Sequence, residues 1–419
     1  MDLYSLLVRF EHTTVYLALL VFFAWYPIGT SLMWIVTALI YWLRRETGDH
    51  SAFYALDRPP PVSVLIPAYN EQANIADTLA GVLKLDYPDF EVVVVDDCST
   101  DGTLAAILPF VRDGRVRLVR KHLNEGKAMA LNDALPLTRG DVILVMDADA
   151  VPNPDALKFL VPHFRSPRVA AVTGNPRVAN RDSFLAKLQA IEFTSIISLL
   201  KRAQRIWGRI LTMSGVVGAF RRDALLDVGG YRPEMATEDI DLTWRLQLQH
   251  WDVRYEPRAI MWMRVPQSLA GLWRQRRRWA LGLSQVLVRY GRTALRWRHR
   301  RLWPVLAEAL LSVAWAYDYV ILTGIWVGSY MVGYPPVGAS PIPNFWGMII
   351  GTVCLLQLLT GVLLDRKYDR GLGRYYIVAV FYPLLYWILM AIITVCTAPK
   401  GLFVNRQKTR VTQWKPIRE

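Results

Sequence analysis

Apolar positions run unbroken near the two ends of the chain and alternate with polar ones in between. Thr13–Leu43 carries no charged residue, and roughly 20 apolar residues suffice to cross a hydrocarbon core. The run therefore predicts a membrane helix, tilted or kinked at Pro27. A cleaved leader fits poorly, because the run is too long, no basic segment precedes it and no small-residue cleavage site follows. Three further apolar stretches, at about Trp303–Met331, Phe345–Leu364 and Tyr375–Ala398, follow the middle region.

The middle alternates short β-branched runs with amphipathic helical patterns. VSVLI (62–66), FEVVVVDD (90–97), VRLV (116–119), DVILVMD (141–147) and VAAVTG (169–174) read as strands. Between them Ile75, Leu79, Val82 and Leu83, then Leu104, Ile107, Leu108 and Val111, recur at helical spacing. Fully apolar strands separated by helices predict an α/β domain with a mostly parallel sheet covered on both faces. Ligands bind such sheets beyond the carboxyl ends of the strands. The chain thus divides into a first membrane helix (1–43), a soluble domain (44–266), interfacial helices (267–301), membrane segments (302–398) and a basic tail (399–419).

Charge sets the orientation. Arg44 and Arg45 directly follow the first run, which places the N-terminus outside and the middle domain in the cytoplasm of a multi-pass inner-membrane protein. Arg366, Lys367, Arg370 and Arg374 mark a second cytoplasmic loop, and Pro335, Pro336, Pro341 and Pro343 an exposed connection. Three full crossings after the domain would put Lys400, Arg406, Lys408, Arg410, Lys415 and Arg418 outside, against the same rule. Either the last stretch, interrupted by Pro383, is re-entrant or the tail breaks the rule. The net charge of +14 sits beside membrane segments, at Arg274–Arg278 and Arg289–Arg301 among tryptophans. This pattern suits an anionic lipid surface better than a nucleic-acid face, and no nucleic-acid partner is expected. Cys98, Cys354 and Cys396 offer neither a disulfide framework nor zinc spacing.

The candidate chemistry lies at strand ends. Asp147 and Asp149 flank Ala148, so two carboxylates at i and i+2 can face one way and form half of a Mg²⁺ or Mn²⁺ site, with Asp149 the more direct ligand. A helix cap is the plain alternative, since VPNPDAL follows. Asp96 and Asp97 end an apolar strand and need partners, which a base and ribose would supply; Asp101 reads as a cap. Ala68, Tyr69 and Glu71 add an aromatic face and a carboxylate to the same pocket. Lys127 opens a helix where it can meet phosphate or stay solvated. Glu238, Asp239 and Asp241 crowd one helix start, more acid than capping needs, so one can act as a catalytic base. Gln275, Arg278 and Trp279 lie in an aromatic, basic helix. Its arginines either snorkel at the interface or stabilise charge on a diphosphate leaving group.

In order, VSVLIPAYNE, VVVVDDCSTDGT, NEGKA, MDADA, TGNPR, SGVVGAFRR, TEDIDLTWRLQ and QRRRW resemble the family-2 inverting glycosyltransferases that include cellulose, chitin and hyaluronan synthases. TGNPR, SIISLLKRAQRIWG and TEDIDLTWRLQLQHW resemble in particular the members that polymerise N-acetylglucosamine. The resemblance covers nearly the whole chain. It implies a GT-A-like domain between transmembrane helices, and processive transfer from UDP-GlcNAc to a growing β-1,6-linked biofilm polysaccharide, coupled to export. It further implies that Tyr69, Glu71, Asp96 and Asp97 hold uridine, and that Lys127 and Asp149 hold diphosphate and metal. Asp239 would be the general base; Gln275, Arg278 and Trp279 would line the acceptor entrance and the leaving-group side; Gly174, Asn175 and Pro176 would shape the acceptor site. A small membrane subunit and activation by cyclic di-GMP are also implied. Cys98 departs from the family, which often has glycine there. The competing readings are a synthase of another β-polysaccharide, a single-sugar transferase to a lipid carrier and, from a different class, a nucleotide-regulated transporter. Nothing in the sequence resembles transporter inverted repeats.

Overall fold

The computed structural model describes residues 3–333 and 345–404. The four prolines of the 334–344 connection and the basic residues beyond Val404 lie outside the described residues. One eight-stranded sheet runs β3-β2-β1-β4-β7-β6-β8-β5. Its strands are β1 (Val62–Ala68), β2 (Phe90–Asp96), β3 (Arg117–Arg120), β4 (Val142–Met146), β5 (Ala150–Pro152), β6 (Val169–Val178), β7 (Val217–Arg221) and β8 (Asp252–Met263).

The five strands expected from β-branched runs form β1, β2, β3, β4 and β6. β3, β2, β1 and β4 are mutually parallel, as expected. The other half is mixed: β7 runs antiparallel to β4 and β6, β5 antiparallel to β8, and β6 parallel to β8. β7 and β8 leave little sequence signal, because β7 is short and contains Gly218, and β8 is interrupted by Glu256, Pro257 and Arg258. The reversed β7 has a consequence for function. Val217, at its start, pairs with Met146, at the end of β4, so the loop before β7 arrives at the edge where the parallel strands end.

Among the described residues, four helical segments are long and apolar enough to cross a membrane: Thr14–Arg45, Trp297–Met331, Gly347–Asp365 and Tyr382–Phe403. Thr13 caps the first, its Oγ1 accepting from Tyr16 N at 3.2 Å. Pro27 lies inside this helix and cannot donate to the Phe23 carbonyl one turn back. The indole N–H of Trp315, on the helix Trp303–Met331, donates to that carbonyl at 3.1 Å, so the helix continues past the proline. The expected stretch Tyr375–Ala398 is not one helix. A 3₁₀ segment (Leu372–Val380) and a π segment (Tyr382–Tyr386) precede an α-helix, Trp387–Val404. That helix is pinned by Ser284, on the helix Leu269–Ala294, whose hydroxyl donates to Ala398 O at 2.6 Å.

A buried ionic network joins the soluble domain to these segments. Arg202 bonds Asp365 at 2.8 Å and Glu46 at 3.1 Å, and Asp365 also pairs with Arg177 of β6. Lys367 and Tyr368 reach Glu46 as well, at 3.2 and 2.8 Å.

Candidate active site

The predicted residues collect along the edge where β2, β1 and β4 end. Ala68 pairs with Asp96 in register and accepts from Asp97 N at 2.9 Å, while Glu71 N donates to Thr103 Oγ1 at 2.8 Å, so the ends of β1 and β2 stay together past the sheet. Two turns here use left-handed backbone, at Asn70 (φ 54°) and Cys98 (φ 63°). Asparagine tolerates that region; a cysteine side chain does so at a cost of roughly 1–2 kcal/mol. This gives a physical reason for glycine at the Cys98 position.

Asp96 and Asp97 are buried, and the fold supplies partners for both. Asp96 Oδ1 accepts from Ser99 N at 3.1 Å. Asp97 accepts from the amides of Glu125 and Gly126 at 3.2 and 2.8 Å and lies 3.5 Å from Lys121 Nζ. The partners that the sequence reading assigned to a base and ribose are, for Asp97, supplied by the loop ahead of the helix Lys127–Ala134, which it anchors. Glu71 accepts from Asn74 at 2.8 Å. Asp101, as expected, accepts from Thr103 N at 2.9 Å.

The Asp147-Ala148-Asp149 segment is a turn rather than a continuation of β4. Ala148 is buried while both carboxylates are half-buried, so the alternation inferred for a strand survives in the turn. The next helix begins only at Ala156, so neither carboxylate caps it. Lys127, expected at phosphate, directs its ammonium to Asp147 (2.6 Å), Glu238 (3.2 Å) and Gly215 O (3.4 Å). An ammonium has three protons, and these acceptors engage all of them. Burial alone would lower the Lys127 pKa, but Asp147 and Glu238 outweigh it and hold the group charged. Lys127 thus ties the Asp147–Asp149 turn to the helix Glu238–Leu248.

At the start of that helix the three acids differ. Asp241 is fully buried between Arg245 (2.7 Å) and Tyr290 (2.6 Å) and is structural. Burial pushes the Glu238 carboxyl up, but Lys127 and Arg278 overcome this and hold it below its ordinary range. Burial and the adjacent Glu238 charge push Asp239 up to about 6, against Lys127 and Arg278. Asp239 Oδ2 accepts from Gly215 N at 3.1 Å, and Oδ1 from Ile240 N at 2.9 Å. Of the three, Asp239 is the carboxylate tuned to exchange a proton near neutrality.

The QRRRW residues divide by burial. Arg276 is buried, 4.0 Å over the Trp279 ring, and bonds Glu192 at 2.5 Å; Tyr386 reaches the same Glu192 oxygen at 2.6 Å. It connects this helix to the membrane segments. Arg277 and Arg278 are exposed, and Arg278 reaches Ala236 O at 3.4 Å. Gln275 Oε1 and Thr237 Oγ1 are buried without a hydrogen-bond partner. The same helix meets Thr237 at Gly282, where a Cβ would stand 1.7 Å from Thr237 Oγ1, so only glycine permits the approach. Gly174, Asn175 and Pro176 lie inside β6, fully buried. Asn175 donates to Pro257 O at 3.0 Å, and a Cβ at Gly174 would stand 2.6 Å from Ala259 O. These three shape a wall from within the sheet.

Sequence reasoning missed Lys201. It is buried on the helix Leu199–Trp207, with its ammonium 3.4 Å from Thr173 Oγ1 and 5.8 Å from the Tyr255 ring. Thr173 Oγ1 also accepts from Ser214 N at 3.0 Å, one residue before the amide that holds Asp239. Burial pushes Lys201 down to about 7, with Asp239 pulling the other way. KRAQR carries no periodic or motif signal that singles Lys201 out, and only the packing reveals it.

The sequence profile described as glycosyltransferase like family 2 matches residues 59–282. A poly-β-1,6-N-acetyl-D-glucosamine synthase of Staphylococcus epidermidis is 34% identical over 399 residues, covering 94% of this chain and 96% of the relative. One from Staphylococcus aureus (strain COL) is 32% identical over 404 residues, with the same coverage. Among solved structures, a mannosyltransferase of Pyrobaculum calidifontis in complex with GDP-Man and Mn²⁺ superposes with a TM-score of 0.62 at 24% identity. It covers 88% of this chain and 99% of that one. That likeness establishes the GT-A-like glycosyltransferase fold.

Proposed function

The chain belongs to glycosyltransferase-like family 2, and from that premise we propose that it polymerises N-acetylglucosamine from UDP-GlcNAc into a β-1,6-linked polysaccharide at a membrane. The observation that carries the proposal is the Lys127 bridge. One ammonium gathers the turn with two half-buried carboxylates and the helix bearing Glu238 and Asp239 into a single cleft.

Asp96, Tyr69 and Glu71 would hold the uridine, while Asp97 fixes the loop that delivers Lys127. Asp149, with the Asp147 oxygen that Lys127 leaves open, would hold Mg²⁺ or Mn²⁺. The donor set fits such an ion: hard oxygens only, and among the described residues no third ligating side chain converges there, leaving room for diphosphate oxygens. The ion supplies charge neutralisation to the diphosphate. Gln275 Oε1 and Thr237 Oγ1 offer unpaired polar atoms to sugar hydroxyls, with Trp279 as an apolar platform and the Gly174–Pro176 wall behind. The acceptor hydroxyl attacks the anomeric carbon of the donor sugar as the bond to UDP breaks and UDP leaves with the electron pair. Asp239 takes the hydroxyl proton, Arg278 faces the developing negative charge, and one displacement inverts the α-linked donor to a β-linked product.

The Ser284–Ala398 bond supports a path in which the last apolar helix ends on the side of the catalytic domain, in keeping with a cytoplasmic domain and basic tail. Arg366, Arg370 and Arg374 are exposed on one connection and suit cyclic di-GMP shared with a small membrane subunit. Calorimetry on the chain alone and on the complex tests that regulation; tight binding to the chain alone, unchanged by neutralising those arginines, refutes it.

The activity test incubates the purified protein with radiolabelled UDP-GlcNAc, UDP-glucose and UDP-glucuronate, with Mg²⁺, Mn²⁺ or chelator. Polymer from UDP-GlcNAc alone, β-1,6-linked by NMR, lost in chelator and absent in Asp149→Ala, is expected. Full synthesis in excess chelator, or polymer from another donor, rejects the assignment.

A further inference from the structure

Where the first membrane helix meets the soluble domain lies a cavity of about 400 Å³ that the proposed reaction does not use. Four guanidiniums line it. Arg44 and Arg45 come from the end of the apolar helix, Arg205 and Arg254 from the soluble domain. Among the described residues Arg44 and Arg45 have no ion-pair partner, and Arg205 and Arg254 share a single carboxylate, Asp252, at 2.9 and 2.8 Å. Glu256, the acid in the lining, is already engaged by Tyr54 (2.7 Å), His163 (3.0 Å) and Arg258 (3.3 Å). Positive charge is therefore in surplus.

Two lining histidines add an independent sign. His163 is 9% exposed; its Nε2 meets Glu256, and its Nδ1 is buried without a partner. His50 Nε2 is likewise buried and unpaired. An unmet polar atom inside a protein costs about 1–3 kcal/mol, so such atoms mark a missing partner. Topogenic charge accounts for Arg44 and Arg45 at a helix end. It does not account for two arginines and two histidines from other segments facing the same space.

We propose that this cavity binds a phosphate group, presented by an anionic lipid headgroup. Guanidiniums pair with phosphate oxygens through parallel N–H donors, His50 can add an imidazole N–H, and the His163 Nδ1 lone pair can accept from a headgroup hydroxyl. The lipid is the expected carrier, because the cavity opens at the end of a membrane helix, the level at which phosphates lie in a bilayer. Tyr255 forms part of the wall, and Lys201 lies against its ring, so occupancy would be felt near the base.

The full chain in detergent is titrated with dihexanoyl phosphatidylglycerol and with inorganic phosphate, and is reconstituted in nanodiscs of phosphatidylcholine alone or with phosphatidylglycerol. Phosphatidylglycerol is expected to raise the melting midpoint, and R45Q/R254Q to weaken its binding at least about tenfold. R205K/R254K keeps the charge and the Asp252 pairs, and is expected to lose less. Either double variant counts only where UDP-GlcNAc binding shows it folded, and each is read separately. R296Q/R298Q, two exposed arginines elsewhere near the membrane, is the control for surface charge. Phosphate that displaces the lipid only at millimolar concentration makes the headgroup the ligand; displacement at equal concentration makes free phosphate the ligand. Either keeps the site. Equal binding by wild type and both variants, or an equal loss in the control, overturns it. Neither result bears on the UDP-GlcNAc assay.

Discussion

Two ionic clusters in this molecule use the same side-chain types to opposite ends. Around Arg202, two arginines and two carboxylates balance, and the side chains of Arg202, Glu46 and Asp365 are 0% exposed. Around Lys127, the carboxylates of Asp147, Glu238 and Asp239 act on one ammonium, with the exposed Arg278 beside the last two. The first cluster is closed, its two arginines matched by two carboxylates with Lys367 at the rim, and it joins four segments of chain. The second is short of positive charge and open, which is the condition for binding a metal-diphosphate and moving a proton. Balance and closure distinguish a clamp from a site; the residue list alone does not.

That contrast breaks most sharply at Asp239. Asp239→Asn should retain UDP-GlcNAc binding and lose turnover by roughly 10²–10⁴-fold. Glu238→Gln, by comparison, should relieve the charge that helps raise Asp239 and so move the pH profile. In the proposed mechanism Asp239 works ionised, and burial with the Glu238 charge pushes its carboxyl up to about 6. Turnover should therefore hold above that value and fall as pH drops through it. Near-normal turnover in Asp239→Asn, or a profile flat from pH 5 to 8, would place the base elsewhere.

Gly282→Ala comes next. Its methyl would collide with Thr237 and shift the start of the catalytic helix. A displacement of about 1 Å can cost roughly 10²-fold in rate, while donor affinity and the melting midpoint should change little. On the closed side, Arg202→Met leaves Glu46 only Lys367 and Tyr368, leaves Asp365 only Arg177, and should destabilise by about 3–5 kcal/mol. Its pH profile, measured on the folded fraction, should match the wild type; a shifted limb would mean that the clamp also tunes the site. Lys201→Met removes a buried positive charge near Asp239 and should move the acid limb upward, with donor KM unchanged. The smallest effect is expected at Cys98→Gly. Relief of left-handed strain should raise stability by about 0.5–1 kcal/mol, and a fall would show that the Cys98 thiol contact with His122 O outweighs it.

The parallel half of the sheet was legible because β1, β2 and β4 are buried runs rich in valine, isoleucine and leucine, the first two each followed by a helical pattern. β8 was not, because its turn-like Glu256-Pro257-Arg258 gives no period and its partners are distant in sequence. The carboxylates gathered at that edge were read from the sequence; Thr237, Lys201 and the division of labour among the acids were not. Sequence places Asp96 and Asp97 side by side as equivalent acids, and only the loop at Glu125–Gly126 turns Asp97 into an anchor. It likewise sets Arg276 and Arg278 in one motif, and packing alone buries the first and exposes the second. Lys201 and Arg202 are contiguous charges that any linear reading assigns to solvent.

The proline in the first membrane helix has a consequence in time. Its unmet carbonyl, at Phe23, finds the Trp315 indole 292 positions later in the chain. At roughly 5–20 residues per second, a ribosome needs about 15–60 s to supply it. During that interval the helix carries a polar defect in lipid, costing on the order of several kcal/mol unless water or another chain covers it. The newborn protein is therefore held provisionally, and its first span becomes a finished membrane element only when the far side of the catalytic domain has been made and has folded back to it.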